Sequence, residues 1–214
     1  MRDLTFTVQG VEVLEHAATP TLVFKLQVTE ADGATVQGIA LQSQIQINVV
    51  RRSYDVHDHE RLLDLFGEPS RWGETLRTML WTHASAAARP FTGSCVIDLP
   101  VPCSYDMNLA AAKYFYALDE GVVPLEFLFS GTVFYESESG IQVEQIPWST
   151  EATYRLPVRI WKELMDHYYP DMAWLCLSRD VFDRLYRYKA RQGVPTWDHL
   201  IDSLLNASGE AVLR

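Results

Sequence analysis

The sequence predicts an α+β fold, mainly an antiparallel β-sandwich of about eight or nine strands with a short helical insertion and a C-terminal cap of about three helices. Three observations predict it. Apolar residues alternate with period two over most of the first two thirds of the chain, the pattern of strands with one buried face. Near residue 157 the period changes to that of amphipathic helices. No linker rich in Pro, Gly or Ser separates the two parts. The expectation is therefore a single domain over 1–214: a sandwich over 1–156 with a helical insertion near 58–76, and a helical cap over 157–206 packed on it.

Each element has its own warrant. Phe6, Val8, Val11 and Val13 mark a first strand, with a break near Gly10 where a bulge fits. Leu22, Phe24, Leu26 and Val28 alternate with Val23, Lys25, Gln27 and Thr29, and Glu30-Ala-Asp32-Gly33 supplies a turn. The clearest strand follows: Ile39, Leu41, Ile45, Ile47 and Val49 on one side, Gln42, Gln44, Gln46 and Asn48 on the other. Asp58 is placed to cap a short helix carrying Leu62, Leu63, Leu65 and Phe66, which Gly67 and Pro69 end. Strand patterns return over Met79–Ala88, Cys95–Val101 and Val122–Tyr135, and Glu136–Gly140 reads as a hairpin loop before Ile141–Ile146. Asn108–Leu118 is ambiguous. Its Ala run favours helix, but Tyr114, Phe115 and Tyr116 before Asp119-Glu-Gly121 favour a strand, the reading taken. Pro157 fits a first helical position ahead of Ile160, Trp161, Leu164, Met165 and Tyr168. Ser178 caps a second helix that Gly193 closes, and Thr196 caps a third carrying Leu200, Ile201, Leu204 and Leu205.

Composition excludes whole classes of partner. The formal charge is −10, opposite to that of a nucleic-acid binder or a protein held on anionic lipid. No apolar stretch approaches the roughly 20 residues that span a bilayer. The N-terminus runs into a strand pattern without a signal-peptide core. Three Cys with no paired spacing suit a reducing cytoplasm.

Few residues point to chemistry. Asp55-Val-His57-Asp58-His59-Glu60 resembles a metal cluster, but two His at i, i+2 miss the i, i+4 spacing of helical ligands. His57 and His59 are thus weak metal candidates beside the simpler reading of an acidic helix-capping loop, and no cofactor is expected. Cys95 and Cys103, eight residues apart, match neither a zinc knuckle nor a redox pair, and Cys95 and Cys176 sit in apolar settings and read as core residues. No nucleophile elbow or phosphate-binding glycine loop is present. His16, His83, His167 and His199 are scattered. The six Trp, at 72, 81, 148, 161, 174 and 197, lie in apolar patterns or at element ends and read as packing residues.

Two surfaces stand out for partner binding. Gln42, Gln44 and Gln46 form an uncharged row in an acidic chain. Amides donate and accept hydrogen bonds and cost less to bury than charges, so the row suits coverage by a partner or by this chain's own helices. The second is the predicted 178–193 helix, where Arg184, Arg187 and Tyr188 combine residue types common in interfaces. The bland alternative there is a solvated helix face.

From Leu4 to Leu205 the sequence resembles a bacterial family of unknown function, about 200 residues long. The resemblance rests on Pro20-Thr-Leu22, Arg51-Arg-Ser-Tyr54, Leu65-Phe-Gly67 with Trp72, Leu80-Trp-Thr82, Pro124-Leu, Phe129-Ser-Gly-Thr-Val-Phe-Tyr135, Ile146-Pro-Trp148, Arg155-Leu-Pro-Val158 and Pro195-Thr-Trp197. It implies genes beside those of [NiFe] hydrogenase subunits and maturation factors in actinobacteria, hence an accessory or assembly role, and brings no catalytic residues. The chain itself lacks the four-Cys ligation of such metal centres. The functional expectation is a non-enzymatic cytoplasmic protein that binds another protein, with a hydrogenase subunit or maturation factor as candidate. A sandwich that binds a small molecule or sugar is the alternative, and an unrecognised hydrolase the third.

Overall fold

The period-two segments pair into two antiparallel sheets. A computed structural model describes residues 4–105, 109–138 and 140–209. Its strands are β1 (Leu4–Val13), β2 (Thr21–Glu30), β3 (Thr35–Ile47), β4 (Met79–Ala88), β5 (Phe91–Thr92), β6 (Ser94–Pro102), β7 (Val122–Ser137), β8 (Gly140–Gln145) and β9 (Glu151–Pro157). Its helices are α1 (Val56–Arg61), α2 (Leu63–Phe66), α3 (Trp72–Thr75), α4 (Leu109–Ala117), α5 (Val158–Tyr168), α6 (Arg179–Gln192) and α7 (Trp197–Ser208). One sheet is ordered β1-β2-β6. The other runs β4-β3-β7, with β5 at the end of β3, and β8 and β9 along the far edge of β7. The mixed α+β class and the nine antiparallel strands match the expectation. The chain divides into two compact units, residues 1–172 and 173–214. The sheets and α1–α5 belong to the first, α6 and α7 to the second.

The first unit is held by an aromatic core. Leu22, Phe24, Leu26 and Val28 point inward from β2, and Ile39, Leu41, Ile45 and Ile47 from β3, all essentially inaccessible. Phe127 and Phe129 of β7 are equally buried. Phe24 meets Phe127 edge-on at 5.2 Å, and Phe6 stacks on Phe129 at 4.8 Å. Such geometries add to the burial of the rings. Gly131 explains how closely β7 approaches β3: its φ is +141°, and a Cβ there would meet the Ala40 carbonyl oxygen at 2.1 Å. The bulge expected near Gly10 is present, as a register shift between Val8 and Gly10. The turn after β2 is built by Glu30, whose buried carboxylate accepts from the Asp32 and Ala34 backbone N–H groups.

Several boundaries differ from expectation for physical reasons. Residues 109–117 are the helix α4, not a strand; Asn108 lies outside the described residues. Ala111, Ala112, Tyr114, Phe115 and Ala117 are all buried. A helix buried on so many sides loses the stripe that marks amphipathic helices. The strand count is made up instead by β5 and β9, where Ala152, Tyr154 and Leu156 alternate inward. β3 stops at Ile47, because the Asn48 side chain caps a 3-10 turn over Val49–Arg51. α1 is capped by Asp55, not Asp58. Asp58 occupies the third position of a capping box and bonds back to the Asp55 N–H. Pro157 closes β9 and stands just before α5 rather than inside it. The β7–β8 turn is tighter than expected, with strand up to Ser137 and again from Gly140; Ser139 lies outside the described residues. No described helix is long and apolar enough to cross a membrane.

Candidate functional site

Much of the chemistry-bearing inventory is used in holding the first unit together. Arg52 donates to the Val122 carbonyl at 2.9 Å and the Glu120 carbonyl at 2.8 Å, and pairs with Asp58 at 3.4 Å. It thereby ties the helical insertion to the start of β7. The Tyr54 hydroxyl donates to the Val49 carbonyl and meets the Tyr114 hydroxyl at 2.9 Å. Burial pushes the Tyr54 phenol up to about 12 and raises Tyr114 further. The Arg51–Tyr54 stretch that carries part of the family resemblance is thus architectural. His57 is exposed on α1, while His59 lies edge-on to Trp72 at 4.9 Å. Among the described residues, no group of three or more His, Cys, Asp or Glu side chains is placed to hold a metal ion. Cys103 is buried, which pushes its thiol up to about 12, and Cys95 is half-buried. Cys176 is exposed rather than in a core. Trp148 and Trp174, read from sequence as packing residues, are exposed as well.

The amide row lies on the outer face of β3. Gln42 is exposed, and Gln44 and Gln46 are half-buried. Register places Gln42 between Ser85 and Ser130, and Gln44 between His83 and Leu128. Gln42, Gln44, His83, Ser85 and Ser130 border an open depression of about 390 Å³. Asn48 leaves the row: it is buried and donates to Glu126 at 2.6 Å. α5 packs on β1, β2 and β9. The depression offers hydrogen-bond donors and acceptors, but no Phe, Tyr or Trp lines it.

The second surface is larger and chemically different. Ser178 caps α6 by accepting from the Val181 N–H, and Gly193 closes it in the left-handed conformation. Thr196 caps α7 by accepting from the His199 N–H. Phe182 and Tyr186 lie against Trp197 with ring centres 5.5 and 6.3 Å away, and the Lys189 ammonium sits over the same ring. This cluster joins the two helices. On an adjoining face of α6, Val181, Leu185 and Tyr188 line an open groove of about 820 Å³ with Leu204 of α7. The predicted Arg184 and Arg187 line it too, as does Arg191. Among the described residues none of these three guanidinium groups forms an ion pair.

The structure thus brings Arg184, Arg187 and Tyr188 together along one groove of the second unit, while Gln42, Gln44 and Gln46 belong to the first. Sequence reasoning put Leu204 on the apolar face of its helix but not at this groove, and missed the exposed segment leading into α6. That segment, Met172-Ala-Trp-Leu-Cys-Leu177, has no helix or strand. Met172, Trp174 and Leu175 are each about two thirds exposed, at 62%, 59% and 67%. The signal was present as an unbroken apolar run between Asp171 and Ser178.

Comparison with known proteins gives little beyond the family. Among solved structures, a protein assigned to the late embryogenesis abundant class is similar at 15% identity, over 72% of both chains, with a TM-score of 0.34. A β-glucosidase from Kluyveromyces marxianus, in complex with glucose, is similar at 10% identity, over 72% of this chain and 15% of its own, with a TM-score of 0.24. Likenesses this remote carry no argument about fold or function. None of the curated proteins matches. The profile of a family of unknown function, DUF6084, does match, over residues 1–212, and the chain belongs to that family.

Proposed function

We propose that this is a non-enzymatic accessory protein that acts in the cytoplasm by binding another protein. One observation carries the reading. Half of the exposed large apolar side chains among the described residues fall between Met172 and Leu205, a stretch in which only Leu200 is buried. Exposed apolar side chains concentrated in this way mark interaction sites, whereas single exposed apolar residues are ordinary. The aromatic and Arg content of α6 has the composition of an interface centre. The family resemblance makes a [NiFe] hydrogenase subunit or maturation factor the first partner to test.

The experiment is reconstitution. The full-length protein is mixed with purified hydrogenase subunits and maturation factors and run on a sizing column. A defined complex that Leu185→Asp abolishes, with the variant still folded by circular dichroism, is the expected result. Failure to bind any of these proteins removes the hydrogenase assignment. The amide-lined depression on β3 favours the second reading, a small polar ligand or sugar. Thermal stabilisation by a sugar, lost in Gln44→Ala, would support that reading instead.

A further inference from the structure

We infer that the groove between α6 and α7 receives a helix from the partner, about three turns long, with an apolar seam flanked by Asp or Glu. This rests on the protein-binding reading above and names the chemistry of what is bound. The seam on α6 follows the spacing of helix–helix packing. Val181, Leu185 and Tyr188 are separated by four and then three residues, the alternation of the d, a and d positions of a heptad. In that register Arg184 and Arg191 both fall at g, the position beside the seam that pairs with charges on a facing helix.

A facing helix is the occupant that the geometry suits. The groove runs from Val181 to Arg191 along one helix and is walled by Leu204 on the other. Two helices with a single buried side chain, Leu200, lack the core that a third would complete. A helix laid in an apolar groove presents anchors at i, i+3, i+4 and i+7. Val181 and Tyr188 are 39% and 37% exposed and so remain available to such anchors.

Charge selects among possible helices. α6 carries five cationic side chains and two carboxylates, Asp180 and Asp183. A second copy of α6 would oppose Arg184 and Arg191 to the same arginines if antiparallel, or to Lys189 at e if parallel. Both arrangements set like charges together, which disfavours a partner. Asp or Glu beside the partner's seam would instead meet guanidinium groups that no carboxylate among the described residues occupies.

The test uses the full-length protein and two labelled, Ala-rich synthetic helices of about four turns. Both carry Leu at a and d; one has Glu at e and g, the other Lys. Fluorescence anisotropy at low salt is expected to show the Glu helix binding at least about tenfold tighter. Arg184→Glu with Arg191→Glu is expected to reverse the preference. That reversal is a gain of binding by the Lys helix, which an unfolded variant could not supply. Equal affinities, or a preference that the double variant leaves unchanged, overturn the inference. A dimer of the protein alone that Leu185→Asp dissociates also overturns it, because the groove then holds a second copy. If reconstitution yields a complex sensitive to Leu185→Asp while the peptides show no preference, protein binding stands and the acidic helix falls.

Discussion

Residues 4–172 and 173–209 place their apolar side chains in opposite ways. In the first, Phe24, Phe127, Phe129, Trp81 and Phe115 are buried together between and beside the sheets. In the second, Val181, Phe182, Tyr188, Leu204 and Leu205 are exposed and Leu200 alone is buried. Charge differs in the same sense. Residues 1–172 hold twelve Lys and Arg against twenty-three Asp and Glu, and residues 173–214 hold six against five. The contrast teaches that one set of hydrophobic residue types does two jobs in this chain. In the sandwich it drives folding. In the helices it is left over as surface, beside arginines that form no ion pair among the described residues.

The largest expected effect tests the first half of that contrast. Phe127→Ala should lower the stability of the protein by about 3–5 kcal/mol, read from the midpoint of urea unfolding. Val181→Ala, which removes atoms from an exposed face, should cost under about 1 kcal/mol. Comparable losses in the two variants would place Val181 in a packed core and break the comparison.

Arg52→Ala should come next, at about 3 kcal/mol, because it strands the Asp58 carboxylate without its cation. The side chains of both residues are only 9% exposed. Arg52→Ala with Asp58→Asn should recover part of the loss. A double variant no better than the single would show that the carbonyl bonds to Glu120 and Val122 matter more than the ion pair.

Tyr54 gives a smaller effect with a pH signature. Tyr54→Phe removes a hydroxyl bonded to Val49 and Tyr114 and should cost about 1–2 kcal/mol near neutrality. The folded phenol keeps its proton to about pH 12, whereas the unfolded one releases it near pH 10. The folded state therefore holds more protons between those values, and stability falls as pH rises through pH 10–12. Unfolding midpoints of Tyr54→Phe should decline less steeply over that window than those of the parent. Identical slopes would mean that Tyr54 is not buried as a neutral phenol.

The smallest effect concerns Ser43, which points into the core from β3 with a hydroxyl that makes no hydrogen bond among the described residues. Ser43→Ala should be neutral or stabilising by up to about 1 kcal/mol, since a buried unpaired polar group carries a desolvation cost. A clear destabilisation would indicate a partner for that hydroxyl.

Legibility in the sequence followed the range of the interactions that decide each element. Strand patterns in β2, β3 and β7 were plain, because one face of each packs on the core and period two records it. The caps Ser178 and Thr196 were legible because capping is local. α4 was misread because Tyr114-Phe-Tyr116 resembles a strand, and only tertiary packing tells that Tyr114 and Phe115 are buried on a helix. β9 was hidden by Pro157, whose value as a helix start overshadowed the alternation of Ala152, Tyr154 and Leu156. At the candidate site, Arg184, Arg187 and Tyr188 were visible as a cluster on one helix. Leu204 was not, because which face of α7 meets α6 is a long-range fact that spacing within either helix does not encode.

Hydrogen exchange on the free full-length protein tests the central contrast most directly. The prediction is graded protection: amides of β2, β3 and β7 exchange only through global unfolding, typically about 5–15 kcal/mol for a domain. Amides of α6 and α7 should open at a cost of about 1–3 kcal/mol, as helices with little buried surface of their own do. Protection across 179–208 equal to that of β3 would contradict the account, because those helices would then already have a completed core and no face left for a partner.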